Sequence, residues 1–489
     1  MGYYAIGIGG TGSKCLESLI HLAAAGMMPN NDNLYMLFVD PDKANGSLTR
    51  AKATLTHYKD FSTEPRLAQT SLLTAQIISA EDPVWNPFTK DAANPKLEDF
   101  FRYATLSAEK NPAADLFEVL YSKNERKTPL GQGFRGHPSI GASVMAQTVL
   151  EKGEPWKTFR SLVKTDTNAK VFLVGSIFGG TGASGFPTIA QLVKDEFKGK
   201  TVKIGGALAL PYFTFNTDDD EGLKAKSEHF LMNTQAALKY YHLWNKHFIY
   251  DAIYLIGDQS QFRADYALGG KNQENTPHFI ELYAALAAVD FFGKDGFAPD
   301  GAPQYFRIDR VRKQLQWTDL PDNNNGNEIK KIEHLSRFAF AYLSIYHPML
   351  EDIRKSGSGH RAPWYIDFFK REGIRLNDDT KKQLEKVQNY CKDFLLWLAN
   401  IQNSAEDPQF GLVKHTAYTQ QGNGNRLELR SVDSFDLKKF GNLTSSNTVE
   451  FLRSVNKLWE NMCRTKGKSD GTGDIGSFLS ALYRNCKEI

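Results

Sequence analysis

Short apolar runs alternate with helix-patterned stretches along the first half of the chain. The runs have few polar positions on either side, as strands buried on both faces do. Such strands are predicted at residues 3–8, 34–39, 170–175, 204–210 and 252–256. Apolar positions three and four residues apart predict helices at residues 13–25, 140–150 and 186–197. Because strands separated by helices form a parallel sheet covered on both faces, the pattern predicts an α/β fold with a doubly wound, mainly parallel sheet.

The second half of the chain has a mainly helical pattern. It opens with a long helix predicted at residues 277–292, which is apolar nearly all round and is therefore expected to be buried. Further helices are predicted at residues 330–355, 378–401, 448–464 and 475–487. We expect three parts. They are a first domain at 1–274 with an insertion at about 52–129, a central helix at 275–293, and an α+β domain with C-terminal helices at 294–489.

Composition is that of an ordinary globular protein. Of the 489 residues, 41% are hydrophobic and 24% are charged, and the net charge is +3. A charge so close to neutral gives no indication of direct nucleic-acid binding. No apolar run reaches the ~18 residues that a membrane span needs, and the first residues lack a signal-peptide pattern. The four cysteines form no CxxC pair, so we expect no protein metal site and free thiols in a cytoplasmic protein.

A glycine-rich segment, here called the first glycine loop, follows the first predicted strand and opens a helix. It consists of Gly9, Gly10, Thr11, Gly12 and Ser13. Glycine lets the backbone approach a phosphate closely, and the N–H groups that begin a helix favour an anion. With Gly7 the spacing fits GxGxxG, which is equally typical of NAD-binding Rossmann units. The loop is not a Walker A motif, because Ser13 stands before Lys14 and not after it.

Two acidic residues, Asp40 and Asp42, come at the end of the second predicted strand. In a dinucleotide-binding protein, Asp40 would bond the ribose hydroxyls. Beside phosphates, the same carboxylates would hold Mg²⁺ directly or through water. Aspartate and Pro41 also favour a simple turn. These residues by themselves leave all three interpretations open.

A second glycine loop, residues 175–185, follows another buried strand and again precedes a helix. Its candidate ligand-binding residues are Gly179, Gly180, Thr181, Gly182, Ala183 and Ser184. Two such loops at neighbouring strand ends can hold one polyphosphate from two sides, and the hydroxyls add donors. A dinucleotide-binding fold has no need of this second loop.

The second glycine loop resembles the signature loop of tubulin and FtsZ, including the later Pro187. Residues 131–141, here called the closing loop, resemble the FtsZ loop that closes over the terminal phosphate. The closing loop supplies Gly131, Gly133, Phe134, Arg135 and Gly136. With the first glycine loop and the two aspartates, four segments occur in the family's order. Over about residues 3–260 the chain is similar to the tubulin/FtsZ superfamily, as a divergent prokaryotic tubulin-like protein.

The resemblance implies bound GTP or GDP with Mg²⁺. It assigns the α and β phosphates to the first glycine loop and the β and γ phosphates to residues 179–183 of the second. It assigns the γ phosphate to Gly133, Phe134 and Gly136 of the closing loop, where Arg135 would add positive charge.

The base pocket that the resemblance implies lies at the start of the central helix. Phe279 would stack on guanine, and Glu281 or Asn275 would accept hydrogen bonds from its N1–H and amino groups. A carboxylate that accepts both donors would discriminate against adenine, which does not present that pair.

The resemblance also implies head-to-tail filaments, in which one subunit inserts a water-activating residue into the next subunit's nucleotide site. The corresponding positions are Asp319 and Gln316, although a glutamine orients water without accepting its proton. Asp309 or Asp322 are alternatives for that role. We therefore expect a GTPase that is activated by self-assembly, with possible protein partners for the C-terminal half.

Two other functions are compatible with parts of the sequence. One is a nucleotide-binding switch or scaffold of the same fold that neither forms filaments nor hydrolyses GTP, which Gln316 favours. The other is a Rossmann-type dinucleotide-dependent enzyme, which would explain only the first glycine loop and Asp40.

Overall fold

A computed structural model gives the chain an α/β architecture followed by a helical region. The structure describes residues 2–31, 33–63, 72–88, 95–131, 133–134, 136–216, 227–244, 249–258, 262–265, 275–298, 301–307, 327–357, 361–404, 418–421, 426–429, 448–465 and 475–487.

The first half is built around a parallel sheet. The described strands are β1 (Gly2–Ile8), β2 (Asn33–Val39), β3 (Ile77–Ile78), β4 (Val84–Trp85), β5 (Lys170–Ser176), β6 (Lys203–Ala209), β7 (Phe213–Asn216), β8 (Ala252–Ile256), β9 (Phe262–Asp265), β10 (Gln304–Phe306), β11 (Tyr418–Gln421) and β12 (Arg426–Leu429). In the main sheet the order is β10, β8, β6, β5, β1, β2, β3, and β4 also pairs with β2. All of these pairs are parallel, which confirms the predicted fold class.

Helices flank the sheet and make up most of the described second half. They are α1 (Gly9–Ala24), α2 (Gly46–Ser62), α3 (Leu97–Phe100), α4 (Tyr103–Ala108), α5 (Pro112–Leu120), α6 (Lys123–Arg126), α7 (Pro138–Met145), α8 (Trp156–Thr165), α9 (Gly180–Glu196), α10 (Ser227–Trp244), α11 (Phe279–Gly293), α12 (Asn327–Ala341), α13 (His347–Ser356), α14 (Pro363–Tyr365), α15 (Asp378–Ser404), α16 (Thr448–Arg464) and α17 (Ile475–Lys487). The segment predicted as an insertion contains the end of α2, β3, β4 and the short helices α3 to α6.

Two glycines in β6 reveal how the sheet is covered. A Cβ atom at Gly205 would lie 2.5 Å from the ring of Phe291 in α11, and one at Gly206 would lie 2.5 Å from the ring of Phe186 in α9. Successive strand residues point to opposite faces. Helix α11 therefore covers one face of the sheet and α9 covers the other, and the missing side chains let both aromatic rings approach the strand.

Helices α1 and α9 begin earlier than the apolar pattern predicts. They start at Gly9 and Gly180, whereas the pattern predicts starts at residues 13 and 186. The glycines of the first turns carry no side chain to pack, so they give no periodic signal. Pro187 lies inside α9 in its third turn. As a result, the first glycine loop is itself the first turn of α1, and residues 180–185 of the second glycine loop form the first turns of α9.

The described second half packs directly on the first. In α15, the indole Nε1 of Trp397 donates to Ser18 Oγ of α1 at 3.0 Å, and the Tyr390 hydroxyl lies 3.2 Å from Nδ1 of His21. The helix predicted at 330–355 is divided into α12, a π-helical turn and α13. Within the described ranges, no helix is long and apolar enough to span a bilayer.

Candidate functional site

The loops singled out in the sequence lie at adjacent strand ends. β1 lies between β2 and β5, so the residues that follow these three strands meet at one edge of the sheet. The chain passes from β1 to β2 on one side, and β5 lies on the other. A crevice forms where the strand order reverses in this way, and ligands of α/β proteins bind there. The two glycine loops and the aspartate turn all border this crevice.

The two glycine loops touch each other. Gly9 has a φ of +71°, a conformation that favours glycine. A Cβ atom at Gly9 would lie 3.3 Å from Cβ of Thr181 and 3.5 Å from the backbone nitrogen of Gly182. One at Gly12 would lie 2.5 Å from the carbonyl oxygen of Val174 in β5. The first glycine loop therefore packs closely against the second at Gly9 and against β5 at Gly12, where a side chain would not fit.

The closing loop lies against the second glycine loop. A Cβ atom at Gly180 would lie 2.8 Å from Cβ of Phe134, whose side chain is buried. Gly133 has a φ of +75°, and a Cβ atom there would lie 3.8 Å from the Thr181 hydroxyl. Arg135 lies outside the described residues. Three glycine-rich segments that are far apart in sequence thus meet at Thr181.

Two helix N-termini point their first turns to this meeting point. Helix α1 follows Ile8 and α9 follows Gly179, and neither helix has an acidic residue in its first turn. A helix N-terminus carries about half a positive elementary charge and several N–H groups without helical partners. Because the helices begin at adjoining loops, together they favour an anion with several charges, such as a polyphosphate.

The hydroxyl groups of the loops already donate to protein acceptors. Ser13 Oγ donates to the carbonyl of Gly9 at 3.0 Å, and Ser184 Oγ donates to that of Gly180 at 2.7 Å. Since a serine hydroxyl has one proton to donate, backbone N–H groups are the better-placed donors for an anion.

The aspartates after β2 form a buried turn. Asp40 Oδ1 accepts the backbone N–H of Asp42 at 3.0 Å, and Asp42 Oδ1 accepts that of Ala44 at the same distance. Burial raises the pKa of Asp40 to about 7, and the neighbouring charge of Asp42 adds to this effect, while the backbone hydrogen bond opposes it. Asp40 and Asp42 can form this turn and also face a cation. A nearby cation would favour the ionised form of both carboxylates.

An acidic cavity of about 660 Å³ lies beside this turn and extends to Gly131 of the closing loop. Its lining includes the carboxylates of Asp42, Asp82, Glu151 and Glu154. Within the described residues, no group of three or more His, Cys, Asp or Glu side chains is arranged to hold a metal ion. A Mg²⁺ ion at this turn would therefore need phosphate oxygens among its ligands, which is its usual arrangement in nucleotide sites.

A buried polar network joins the first glycine loop to α11. Lys14 and Glu281 form an ion pair with side chains that are 4% and 0% exposed. Tyr212 donates to Glu281 Oε1 at 2.5 Å and accepts from Lys14 at 3.2 Å. The backbone N–H of His278 donates to Glu281 Oε2 at 2.8 Å, and the Thr11 side chain bonds with Tyr212. A polar path therefore connects Thr11 with the start of α11.

Burial determines the protonation states in this network. It raises the pKa of the Tyr212 hydroxyl well above its ordinary value and lowers the pKa of His278 to about 3, an effect that Lys14 increases. Near neutral pH the phenol keeps its proton and the imidazole is uncharged. The ionic charges of the network are then those of Lys14 and Glu281, which balance each other.

A second ion pair extends from α1 towards the same helix. The Arg50 guanidinium binds both carboxylate oxygens of Glu17 at 2.9 to 3.1 Å. A further nitrogen of Arg50 donates to the carbonyl oxygen of Asn275 at 3.0 Å. Arg50 of α2 therefore holds the segment before α11 against α1.

The three residues expected in the base pocket are close together at the start of α11, but they differ in exposure. Asn275 is partly exposed, whereas Phe279 and Glu281 are buried. The backbone N–H of Phe279 donates to Ser404 Oγ of α15 at 2.8 Å. In the described geometry, Phe279 and Glu281 are parts of the protein core.

Sequence reasoning missed the roles of Lys14, Glu17 and Arg50. The signal was present, because Lys14 and Glu17 lie three residues apart in a helix that has no other Asp, Glu, Lys or Arg. Charged residues in such a position are seldom fully buried unless they are paired. The expected water-activating residues, Asp319 and Gln316, and the alternatives Asp309 and Asp322 lie outside the described residues.

Residues 136–280 match a protein-family model described as tubulin like. The matched segment begins in the closing loop, contains the second glycine loop and ends at the second residue of α11. The match confirms the resemblance that the loops indicated. Among curated proteins, none has a significant sequence match to this chain.

Several solved structures are similar to the chain, and two of them are described here. One is CetZ from Methanosaeta thermophila strain DSM 6194, at 12% identity and a TM-score of 0.25, with 53% of this chain and 46% of that one covered. The other is CetZ2 from Haloferax volcanii, a GTPgS-bound protofilament, at 15% identity and a TM-score of 0.27, with 60% of this chain and 58% of that one covered. The chain thus spans about half the length of these proteins. At this level of similarity, nothing further about the chain follows from them.

Proposed function

Residues 136–280 match a tubulin-like family model, and from this premise we propose that the chain is a member of the tubulin/FtsZ superfamily. We propose that it binds GTP and GDP with Mg²⁺ in the crevice at the carboxyl ends of β1, β2 and β5. One observation carries the proposal. The two glycine loops and the closing loop meet around Thr181, with a contact at Gly180 that is too close for a side chain and a φ at Gly9 that favours glycine. A Rossmann-type dinucleotide enzyme would need only the first of these loops.

The proposed phosphate contacts follow from this geometry. Backbone N–H groups of the first glycine loop, Gly9 to Ser13, bind the α and β phosphates, and those of Gly179 to Ala183 bind the β and γ phosphates. The closing loop, with Gly133, Phe134 and Gly136, covers the γ phosphate. The N-termini of α1 and α9 supply positive charge without a basic side chain in the first turn of either helix.

Asp40 and Asp42 are the proposed protein partners of Mg²⁺. They follow β2 at the same edge of the sheet as the two glycine loops, and Asp42 also lines the acidic cavity that reaches the closing loop. When bound, the ion neutralises charge on the phosphates. Asp40 and Asp42 would orient it, directly or through water, while their hydrogen-bonded turn keeps the carboxylates in place.

The base end of the proposed site lies at the start of α11. Glu281 is the proposed acceptor for guanine, with Asn275 as the alternative and Phe279 as the stacking residue. Glu281 is held by Lys14 and Tyr212. Guanine can bond Glu281 only if these partners move, so the structure favours Asn275 as the first contact of the base.

We further propose that the chain assembles head-to-tail and hydrolyses GTP at the contact between subunits. In this arrangement Asp319 and Gln316 of one subunit approach the γ phosphate bound by the next. A non-hydrolysing switch is the second candidate, because Gln316 stands where the superfamily has an acid and a glutamine accepts no proton.

Light scattering combined with phosphate release tests these proposals, with GTP, GDP or ATP added in the presence of Mg²⁺. We expect scattering and phosphate release with GTP alone. Bound GTP without scattering or phosphate release would favour the non-hydrolysing switch. Absence of any bound guanine nucleotide would refute the proposed site, and a flavin or nicotinamide absorbance in the purified protein would favour the dinucleotide enzyme.

A further inference from the structure

A second cavity, of about 340 Å³, lies between α7, α9 and α10 and shares no lining residue with the acidic cavity. One wall is the stretch from Gly136 to Ser139, which belongs to the closing loop and contains the start of α7. Helix α9 contributes Ala183 and Pro187, and α10 contributes Ala236. No residue of the first glycine loop lines it. The cavity is therefore separate from the proposed contacts to the α phosphate.

The lining indicates an uncharged ligand. Among the residues that border the cavity, all of them in the described part of the chain, none is Asp, Glu, Lys or Arg. The one histidine of the lining is His137, whose Nδ1 lies 3.7 Å from Glu125 Oε1 outside the lining. A charged ligand would lose its hydration there without gaining an ionic partner, which is costly.

The volume and the aromatic lining indicate a flat ring system. Small side chains such as Ala142 and Ala237 leave the space open, while Phe230, Tyr240 and Tyr241 supply aromatic faces and edges. The volume of 340 Å³ is roughly twice the ~150 Å³ of a protein cavity that accommodates benzene. Two fused rings therefore fit the space better than one.

Polar groups at the border allow one or two hydrogen bonds. Ser139, Thr188 and Asn233 contribute hydroxyl and amide groups to the lining. Asn233 also donates to the carbonyl oxygen of Gly136 in the closing loop at 3.3 Å. A mostly apolar cavity with a few polar groups is the usual composition of a small-molecule site.

We propose that this cavity is a binding site for an uncharged bicyclic aromatic molecule that carries a hydroxyl or amide group. The site is distinct from the nucleotide crevice, and it shares with that crevice only the closing loop and the start of α9. A ligand there would contact Gly136 and Ala183, which border the cavity. The proposal does not depend on nucleotide binding.

Calorimetric titration with 2-naphthol tests the site. We expect saturable binding of one molecule per chain. Ala236→Trp, at an exposed position of the lining, should weaken binding about tenfold or more by filling the cavity. Gln235→Trp is the matched control, since it adds the same side chain at the adjacent exposed position outside the lining and should leave affinity unchanged. Equal affinities of the two variants, or absence of saturable binding, would overturn the proposal.

A second substitution that fills the cavity keeps the test valid if Ala236→Trp fails to fold. Ser139→Trp enters from the opposite wall and is also at an exposed position, so it should weaken 2-naphthol binding as Ala236→Trp does. Titration at saturating GTP distinguishes the cavity from the nucleotide crevice. Simple competition between GTP and 2-naphthol would show that the cavity is part of the nucleotide site and would refute the proposal. A chain that binds 2-naphthol but no nucleotide would refute only the proposed function.

Discussion

Lys14 and Glu281 are buried charges that depend on each other. Removing one partner leaves an unpaired buried charge, which costs about 3–5 kcal/mol, whereas neutralising both is far less costly. We expect Lys14→Met to lower the free energy of unfolding by about 3 kcal/mol. Adding Glu281→Gln should recover most of this loss, because the amide oxygen still accepts from the backbone N–H of His278. Urea unfolding followed by circular dichroism measures both effects.

Tyr212→Phe is the control for this pair of variants. It removes the hydroxyl that contacts both charges and keeps the ring and the ion pair. We expect it to cost about 1–2 kcal/mol, less than Lys14→Met. If the double variant were as unstable as Lys14→Met alone, loss of packing and not unpaired charge would be the cause.

Asp40 makes stability depend on pH. Burial raises its pKa from 3.8 to about 7 in the folded protein. The stabilising contribution of the protonated carboxyl is therefore complete below about pH 4 and is lost as the pH rises through about 7. Asp40→Asn should raise the free energy of unfolding at pH 8 by roughly 2 kcal/mol and change it little at pH 4, in protein without nucleotide or Mg²⁺.

Asp40→Asn is expected to change stability and Mg²⁺-dependent GTP binding in opposite directions. If Asp40 orients Mg²⁺, Asp40→Asn should weaken Mg²⁺-dependent GTP binding at pH 8 even though it stabilises the protein. Unfolding curves collected from pH 4 to pH 8 and GTP titrations with and without Mg²⁺ provide the two measurements. Parallel stability profiles for the original protein and the variant would contradict the raised pKa.

Alanine substitution of Gly133, which has a positive φ angle, tests whether the closing loop takes part in GTP binding. Gly133 and Gly26 have φ values of +75° and +76°, and a Cβ atom at Gly26 would meet no atom within 4 Å. Alanine at either position should cost about 1 kcal/mol of stability through backbone strain. Only Gly133→Ala should also weaken GTP binding, because that residue lies beside Thr181. An equal loss of affinity in Gly26→Ala would exclude a specific role of the closing loop.

Most elements of the fold could be predicted from the apolar pattern, and the reason is burial. Strands β1, β2, β5, β6 and β8 are apolar on both faces, so their positions are clear in the sequence. The starts of α1 and α9 could not be read from apolar spacing, since their first turns are glycine-rich and pack through the backbone. The order of glycine-rich segments predicted which loops belong together.

The base end of the site was harder to predict for a physical reason. Asn275, Phe279 and Glu281 are neighbours at the start of α11. The contacts of their side chains, however, depend on residues far away in sequence. Lys14 is the partner of Glu281, and nothing local to α11 indicates it. Burial of Phe279 likewise depends on packing between separate elements. Tertiary contacts of this kind have no signature in spacing alone.

At the scale of the whole molecule, α10 is a candidate contact surface for self-assembly. Its Leu231 and Leu243 side chains are 61% and 60% exposed, and the helix contacts the closing loop through Asn233. We expect Leu231→Lys with Leu243→Lys to abolish GTP-dependent light scattering and to leave GTP affinity unchanged, because apolar contact area between subunits is lost.

A matched double variant on α5 is the control for this experiment. Leu116 and Leu120 are 59% and 60% exposed, and their replacement by lysine changes charge and apolar surface equally. Scattering should persist in this control. Loss of scattering in both double variants would indicate a general effect of added charge and would contradict a specific contact through α10.

The packing of α15 on α1 has a consequence for the order of events during synthesis. Trp397 and Ser18 are bonded across a sequence separation of 379 residues. A ribosome adds about 5–20 residues per second, so α1 waits roughly 20–80 s for its covering helix. During that time the apolar side of α1 that α15 will cover is without its native partner. The nascent chain therefore completes the neighbourhood of its first glycine loop only after most of the protein has been synthesised, and until then the apolar side of α1 is a surface that a chaperone can bind.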